Sequence, residues 1–125
     1  MFTKGGRRRF EYAHPFMTKD MSHIVMKLVL LDRIAKNEVY SYALVKELST
    51  SKFSHFMRKY SIDTKNDIYN TVKALEKGGY VKVKARVDDG KLKKYYHITQ
   101  RGRNALKESK KLFVNSMSEL MKIVG

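Results

Sequence analysis

The chain has 125 residues, 42% of them hydrophobic, which is enough for one domain with a modest core and argues against general disorder. It carries 27 lysines and arginines against 12 acidic residues, a net charge of +15, and its lack of cysteine excludes disulfides and thiolate metal sites. So large a positive excess favours a negatively charged partner, nucleic acid first and an anionic membrane surface second, with a merely basic protein as the alternative.

Residues 1–17 predict a basic N-terminal arm. A Gly-Gly pair loosens it, and the residue before Pro15 disfavours helix. Its three consecutive arginines can follow DNA into the minor groove, although an uninvolved terminus is an equal alternative. These arginines are Arg7, Arg8 and Arg9. The aromatic residues of the arm predict that part of it docks on the domain or on a partner.

Residues 18–35 predict the first helix, with Thr18 or Asp20 as its N-cap. Apolar side chains occupy almost every side of this helix, and a helix that is apolar all round must be covered all round. We therefore expect one side to pack on its own domain and the other on the C-terminal helix or on a second chain. The following Val39-Tyr40 is predicted to be extended.

Ser41 is the expected N-cap of a second helix that runs from Tyr42 to about Leu48. Farther along, residues 53–57 carry apolar side chains at helical spacing. This spacing leaves open whether the second helix continues there or a new helix starts.

Residues 63–77 predict an amphipathic helix, because apolar side chains recur at the 3.6-residue spacing of one helix face. These apolar residues are Ile68, Val72 and Leu75. Asp63 or Thr64 is the expected N-cap. The Gly-Gly pair at 78–79 is expected to end the helix, since glycine adopts the left-handed backbone at no steric cost.

A β-hairpin is predicted after these glycines, because apolar and basic residues alternate and the Asp-Gly pair at 89–90 favours a two-residue type I′ turn. This register places Val87 opposite Leu92 on an apolar face and Arg86 opposite Lys93 on a basic face. It also pairs Val83 with Tyr96, Val81 with Ile98, Lys84 with Tyr95 and Lys82 with His97. Like charges that face one another are destabilising, so the basic face favours a polyanion, with a solubilising surface as the alternative.

Thr99 is the expected N-cap of a last helix from Gln100 to about Val124. About 25 residues at ~1.5 Å each make a rod of roughly 37 Å, too long for so small a domain to cover. Apolar residues form one stripe along this rod. We expect its free end to pair with another subunit, and a helix folded back on its own domain is the alternative.

A helix that leads into a basic hairpin is the arrangement of recognition helix and wing in a winged helix-turn-helix. We therefore predict a mainly α fold with a small two-stranded β-wing, in which residues 18–99 form the winged helix-turn-helix domain and residues 100–125 a dimerisation helix. The expected dimerisation residues lie on the first and last helices and are Ile24, Leu28, Leu31, Leu106, Phe113, Met117, Leu120 and Val124.

Three stretches of the chain resemble PadR-like winged-helix regulators. LVLLDRIAKNEVYSYALVKEL is similar to helix 1, turn and helix 2 of that family, NDIYNTVKALEKGGYVKV to its recognition helix, and KKYYHITQRGRNAL to its wing exit and last helix. The resemblance covers about residues 22–106 and implies a homodimer, joined by the first and last helices, that represses transcription and in some members responds to small molecules. Asn70 stands where the family often has proline, and the basic arm is not typical.

The outward side of the helix at 63–77 carries the residue types that recognise bases in the major groove. Asparagine can pair bidentately with adenine and lysine can donate to guanine, whereas Tyr69 can contact DNA or pack on the domain. The hairpin and the arm carry the positive excess and suit phosphate contacts. The expected DNA-binding residues are Lys65, Asn66, Tyr69, Asn70, Lys73, Lys84, Arg86, Lys91, Lys93, Lys94, Arg7, Arg8 and Arg9.

The sequence shows no catalytic constellation, no metal-ligand spacing among its histidines and no phosphate-binding loop. We therefore expect no enzyme, metal or cofactor, and the sequence does not reveal whether a small-molecule effector exists. Without a secretory signal or a bilayer-length apolar run, a cytoplasmic, nucleoid-associated location without a membrane partner is expected. Two functions compete: a dimeric regulator of a specific operator, and an architectural, weakly selective DNA-binding protein. The net charge of +15 favours the architectural protein. A winged-helix interaction module in a larger complex is disfavoured by the charge of arm and wing.

Overall fold

The computed structural model describes residues 19–58 and 64–125, apart from the side chains of residues 19–22, 56, 64 and 65. The N-terminal arm with its arginines lies outside the described residues, as do the expected caps Thr18 and Asp63. The helices and strands are α1 (Lys19–Lys36), β1 (Val39–Tyr40), α2 (Ser41–Ser49), α3 (Lys52–Arg58), α4 (Thr64–Lys77), β2 (Val81–Asp88), β3 (Lys91–Ile98) and α5 (Gln100–Val124).

The architecture is mainly helical, with an antiparallel hairpin and a long C-terminal helix, which confirms the predicted fold class. The sheet differs in one respect from the two-stranded prediction, because the two residues of β1 join it and give the strand order β1-β3-β2. Val39 pairs with Tyr96 and Tyr40 with Tyr95. This pairing anchors the hairpin to the segment between α1 and α2.

An apolar core lies between the helices and the inner face of the sheet. Its largest fully buried side chains are Met26, Leu30, Ile34, Leu44, Met57, Ile68 and Val81. Full burial of such a side chain stabilises the fold by roughly 1.5–3 kcal/mol. Because Ile68, Val72 and Leu75 are all buried, the predicted inward face of α4 is confirmed and its opposite face is directed to solvent.

The start of α2 corrects one prediction. The N-cap residue is Tyr40, in extended conformation and without a side-chain cap, and Ser41 is already inside the helix. Ser41 instead lies close enough to the phenol of Tyr96 to affect its pKa, since β1 ends directly where α2 begins. The ambiguity at 53–57 is also resolved, because α2 ends at Ser49 and α3 is a separate helix.

The hairpin has the predicted register, with each of the predicted cross-strand pairs present, including Val87 with Leu92 and Arg86 with Lys93. The turn residues Asp89 and Gly90 have φ angles of 50° and 74°, and a type I′ turn requires positive φ at both positions. The predicted alternation therefore determines which side chains share a face of the wing.

The predicted glycine stop of α4 is also confirmed. Gly79 has a φ of 82°, the backbone N–H of Gly79 donates to the Glu76 carbonyl (3.0 Å) and that of Tyr80 to the Leu75 carbonyl (2.9 Å). This pair of bonds satisfies the last carbonyls of the helix. It turns the chain directly from α4 into β2.

α5 begins at the predicted cap, where the Thr99 hydroxyl accepts a hydrogen bond from the Gly102 backbone N–H at 3.0 Å. The first part of α5 packs on its own domain, where Leu106 is buried in the core, whereas every residue from Lys110 to the end is exposed in the single chain. Among residues 19–58 and 64–125, no helix has both the length and the apolar character needed to span a bilayer.

Candidate nucleic-acid interface

α4 presents a polar surface on the side away from the core. Asn66, Asn70 and Lys73 are exposed there, and Tyr69 is 40% exposed. Lys65 belongs to the same helix, but its side chain is not among those that the structure describes. The four described side chains lie where the helical spacing placed them, on a surface that another molecule can reach.

A groove of about 330 Å³ runs between this surface and α1, lined in part by Asn70, Thr71, His23 and Lys27. Lys27 is exposed and was not among the predicted DNA-binding residues, because the sequence does not show which side of α1 lies beside α4. The groove therefore adds a cation from α1 next to the polar surface of α4.

The two faces of the hairpin differ in their surroundings. The inner face begins at the buried residues Val81 and Tyr96, which belong to the core, and it is the face against which α4 packs. The outer face carries Arg86, Lys93 and Tyr95, which alternate with the inner residues. Side chains farther along the inner face therefore share a side of the molecule with α4, and those of the outer face point the other way.

Acidic and aromatic groups surround Arg86 on the outer face. One guanidinium nitrogen, Nη1, donates to both carboxylate oxygens of Glu38 at 3.0 and 3.1 Å. Asp88 Oδ2 lies 3.7 Å from Arg86 Nε, and the guanidinium lies 3.7 Å from the centre of the Tyr95 ring. Glu38 Oε2 is also 3.4 Å from His97 Nε2. We call these five residues the outer cluster.

Hydrogen bonds and ring contacts within the outer cluster favour the ionised forms of Arg86 and Asp88. The contact with Tyr95 and then that with Glu38 raise the pKa of Arg86 above its ordinary value. The Tyr95 hydroxyl donates to Asp88 Oδ2, and this bond, followed by the charges of Arg86 and Lys93, lowers the pKa of Asp88. Both shifts keep Arg86 and Asp88 charged at neutral pH.

The outer cluster relieves part of the predicted repulsion between Arg86 and Lys93 within the protein itself. Glu38 and Asp88 offset part of the charge of Arg86, and the ammonium of Lys93 lies 4.8 Å from the centre of the Tyr40 ring. Such cation–π contacts are favourable by about 0.5–1 kcal/mol at exposed sites. The sequence did not identify Glu38, because its contact with Arg86 spans 48 positions and depends on β1 joining the sheet.

The other predicted basic residues of the hairpin are accessible. Lys84, Lys91 and Lys94 are exposed, and Lys93 is half-buried. Lys91 flanks the turn and Lys94 lies on the inner face. The hairpin thus offers cations at its tip and on both faces.

The predicted dimerisation residues fall into two groups. Leu31 and Leu106 are buried in the core of the subunit, and Leu28 is partly buried against that core, so they offer little surface to a partner. The exposed members are Ile24, Phe113, Met117, Leu120 and Val124. A groove of about 380 Å³ between α1 and α5 is lined in part by Ile24, Leu28 and Phe113.

No group of histidine, aspartate or glutamate side chains in the described part of the chain could hold a metal ion.

Comparisons with known proteins agree with this geometry. The model of the transcriptional regulator PadR-like family matches residues 30–108. A search of curated proteins found no match. Among solved structures, the chain is similar to a Streptococcus transcriptional regulator, with 23% identity, a TM-score of 0.68, and coverage of 86% of this chain and 99% of that one.

Two further solved structures are similar over most of both chains. The PadR-like transcriptional regulator from Bacillus cereus strain ATCC 14579 has 22% identity and a TM-score of 0.64, with coverage of 85% of this chain and 97% of that one. The PadR family transcriptional regulator from Eggerthella lenta DSM 2243 has 22% identity and a TM-score of 0.63, with coverage of 84% and 86%. At these identities the structures establish the shared fold, and the family model, which matches more than half of the chain, establishes membership. The protein belongs to the PadR-like family of transcriptional regulators, a family of DNA-binding proteins rather than enzymes.

Proposed function

We propose that this regulator is a homodimer that binds a specific operator, with α4 in the major groove and the hairpin against the DNA backbone. The observation that carries this proposal is the exposed polar face of α4, which bears Asn66, Asn70 and Lys73 opposite a fully buried apolar face. A helix of this kind fits the major groove, where asparagine and lysine have well-matched base partners. We further propose repression, the activity that the sequence resemblance implies.

The distribution of charge supports a division of labour between α4 and the hairpin. Between residues 64 and 77 the chain has three lysines and two acidic residues, whereas residues 82–94 have six basic and two acidic residues. Phosphate contacts position a protein on DNA and base contacts specify the sequence. We therefore assign base recognition to α4 and backbone contact to the hairpin lysines, and to the arginines of the N-terminal arm as well.

Homodimerisation is supported by the apolar surface of α5. Eight large apolar side chains between residues 112 and 124 are exposed in the single chain, and they continue into the groove between α1 and α5. An apolar patch of this extent is unusual on the surface of a monomer. In a two-fold dimer the same patch covers itself on both subunits.

The alternative function is an architectural, weakly selective DNA-binding protein, and the net charge of +15 favours it. Sequence-independent attraction grows with the number of phosphates that a protein neutralises. Both functions share DNA binding, so selectivity is the property that separates them.

Selection from fragmented genomic DNA separates the two functions. The purified protein is incubated with pooled fragments at about physiological salt, and bound DNA is recovered and sequenced. We expect a small number of enriched sites that contain inverted half-sites about one DNA turn apart, roughly 10 bp between centres. Even coverage of all fragments would favour the architectural function, and no recovery of DNA at any salt concentration would refute both.

A further inference from the structure

Two large aliphatic side chains lie exposed at the tip of the hairpin. Val87 and Leu92 are 68% and 73% exposed and pair directly across the two strands, next to the turn. Strand propensity explains a branched side chain at such a position, but it does not explain two aliphatic residues that face each other on a highly charged hairpin. We call this pair the wing-tip pair.

The wing-tip pair lies on the inner face of the hairpin. Alternation places Val87 on the same side of β2 as the buried Val81, and Leu92 on the same side of β3 as the buried Tyr96. α4 packs against this inner face at its base. DNA that contacts the exposed side of α4 would therefore meet the wing-tip pair rather than the outer cluster.

Charge identifies the class of partner that fits this surface. Residues 82–94 carry a net charge of +4, from six basic and two acidic residues. The exposed Lys94 lies beside the wing-tip pair on the inner face, and the exposed Lys91 precedes Leu92 at the turn, with its side chain on the outer face. A second copy of the chain would bring the same charge to the contact, and like charges oppose such a pairing. A polyanion with an apolar interior meets both the cationic rim and the aliphatic centre, and duplex DNA is such a molecule.

We propose that the wing-tip pair is an apolar wedge that enters the minor groove, partly unstacks a base step and bends the DNA. This inference rests on the proposed function and goes beyond it, because it assigns DNA deformation to two uncharged residues. Aliphatic side chains that are inserted in this way kink a duplex towards the major groove. Flexible pyrimidine–purine steps such as TA deform at low energy, whereas A-tracts resist. The wedge thus makes the protein prefer DNA with a flexible base step at this position, although no hydrogen bond from the protein reads the bases of that step.

The test uses the full chain with both aliphatic residues replaced, Val87→Thr and Leu92→Thr, which keeps strand-forming side chains and removes apolar surface. The first probe is the most enriched genomic fragment, with a donor fluorophore at one end and an acceptor at the other. The second probe is the same fragment with its TA steps replaced by an A-tract. Energy transfer between the two ends rises as the DNA bends and so measures the bend. We expect the variant to lose the bend, to bind the TA probe about tenfold more weakly, and to lose the preference for TA.

The salt dependence of binding supplies the internal comparison. The wedge carries no charge, so the double variant should keep the slope of log affinity against log salt. Lys91→Ala should show the opposite pattern, with a shallower slope and an unchanged bend. Melting curves and sedimentation of each variant check that fold and oligomeric state are retained.

Three results would overturn the wedge. The variant could bend and bind both probes as the wild-type protein does, while the wild-type protein binds DNA selectively. Its dimer could dissociate, which would assign the wing-tip pair to a protein contact. Failure of the wild-type protein to bind any duplex would refute the proposed function together with the wedge.

Discussion

At the scale of single residues, Tyr96 connects the sheet to two helices. It is buried, and Ser41 at the start of α2 and Tyr69 and Glu76 of α4 are near enough to its phenol to affect it electrostatically. Burial, followed by Tyr69 and Glu76, raises the pKa of Tyr96, and Ser41 opposes the rise. A tyrosine of this kind stabilises the fold in its neutral form.

Tyr96→Phe should therefore show a pH-dependent effect on stability. Below a pH of about 10, the ordinary tyrosine pKa, the variant lacks the phenol hydroxyl near Ser41, and its free energy of unfolding should fall by no more than about 1.5 kcal/mol. As pH rises from there towards the raised pKa, the wild-type unfolded chain ionises first, so the wild-type protein loses stability that the variant retains. Urea denaturation at neutral and alkaline pH measures this difference, and the exposed Tyr42→Phe is the control. Parallel pH profiles for Tyr96→Phe and the wild-type protein would contradict the assignment.

Glu38 is the second residue with a testable consequence. Glu38→Gln keeps the shape of the side chain and removes the charge that engages Arg86. The guanidinium, no longer held on the outer face by Glu38, is then free to swing around the edge of the hairpin towards a phosphate, so affinity for random DNA should rise and the salt slope should steepen by up to about 0.9 per subunit. The double variant Glu38→Gln, Arg86→Ala should return to a slope no steeper than that of the wild-type protein. An unchanged slope in the single variant would show that Arg86 stays on the outer face when DNA is bound.

At the scale of elements, the junction between the hairpin and α5 fixes the direction of the long helix. The Thr99 hydroxyl donates to the Gly79 carbonyl at 2.7 Å and its backbone N–H donates to the Tyr80 carbonyl at 3.1 Å. The guanidinium of Arg101 donates to the Gly78 carbonyl at 2.9 Å. The end of α4 and the start of α5 are therefore held together, which ties the direction of α5 to that of α4.

Gly102→Ala tests this junction. A Cβ at Gly102 would lie 2.1 Å from the Tyr80 carbonyl oxygen and 2.7 Å from Ile98 Cγ1, so α5 must shift. We expect a loss of unfolding free energy of about 1–3 kcal/mol, typical of overpacking. Asn104→Ala, on an exposed side of the same helix, should change it by no more than about 0.5 kcal/mol. Equal denaturation midpoints for Gly102→Ala and the wild-type protein would contradict the close packing.

Local patterns predicted most of the elements, and contacts between distant segments account for the rest. Period-two alternation with an Asp-Gly turn predicted the hairpin register, and two glycines predicted the end of α4. Ser41 was wrongly predicted as a cap because the helix begins directly after the extended Val39-Tyr40. The sequence predicted that extended segment but not its pairing with β3, which is a contact between distant segments. The contact between Glu38 and Arg86 depends on that pairing as well. Helical spacing predicted which side chains of α4 are exposed. It does not predict which bases or phosphates those side chains contact, because that depends on how the protein docks on DNA.

At the scale of the whole molecule, the dimer is the unit to which the proposed function belongs. Ending the chain after Lys111 removes most of the exposed apolar surface of α5 and keeps the buried Leu106 and the 3.0 Å ion pair between Lys110 and Asp32. We expect the full chain to sediment as a dimer and the shortened chain as a folded monomer. The shortened chain should bind inverted half-sites much more weakly, because a monomer engages one half-site at a time and loses the avidity of a dimer that binds both. Identical sedimentation of both forms would contradict dimerisation through α5.

The central claim is that α4 recognises bases, and Asn70→Ala tests it most directly. Asn70 is exposed and uncharged, so alanine removes little sequence-independent attraction. If its amide meets a base edge, the contact carries about 1–3 kcal/mol of discrimination. The measurement is the affinity of both proteins for the enriched genomic site and for random duplex, over a range of salt. If α4 recognises bases, Asn70→Ala should bind the enriched site much more weakly, bind random DNA almost as before and keep its salt slope, whereas equal loss on both DNAs would contradict base recognition by α4.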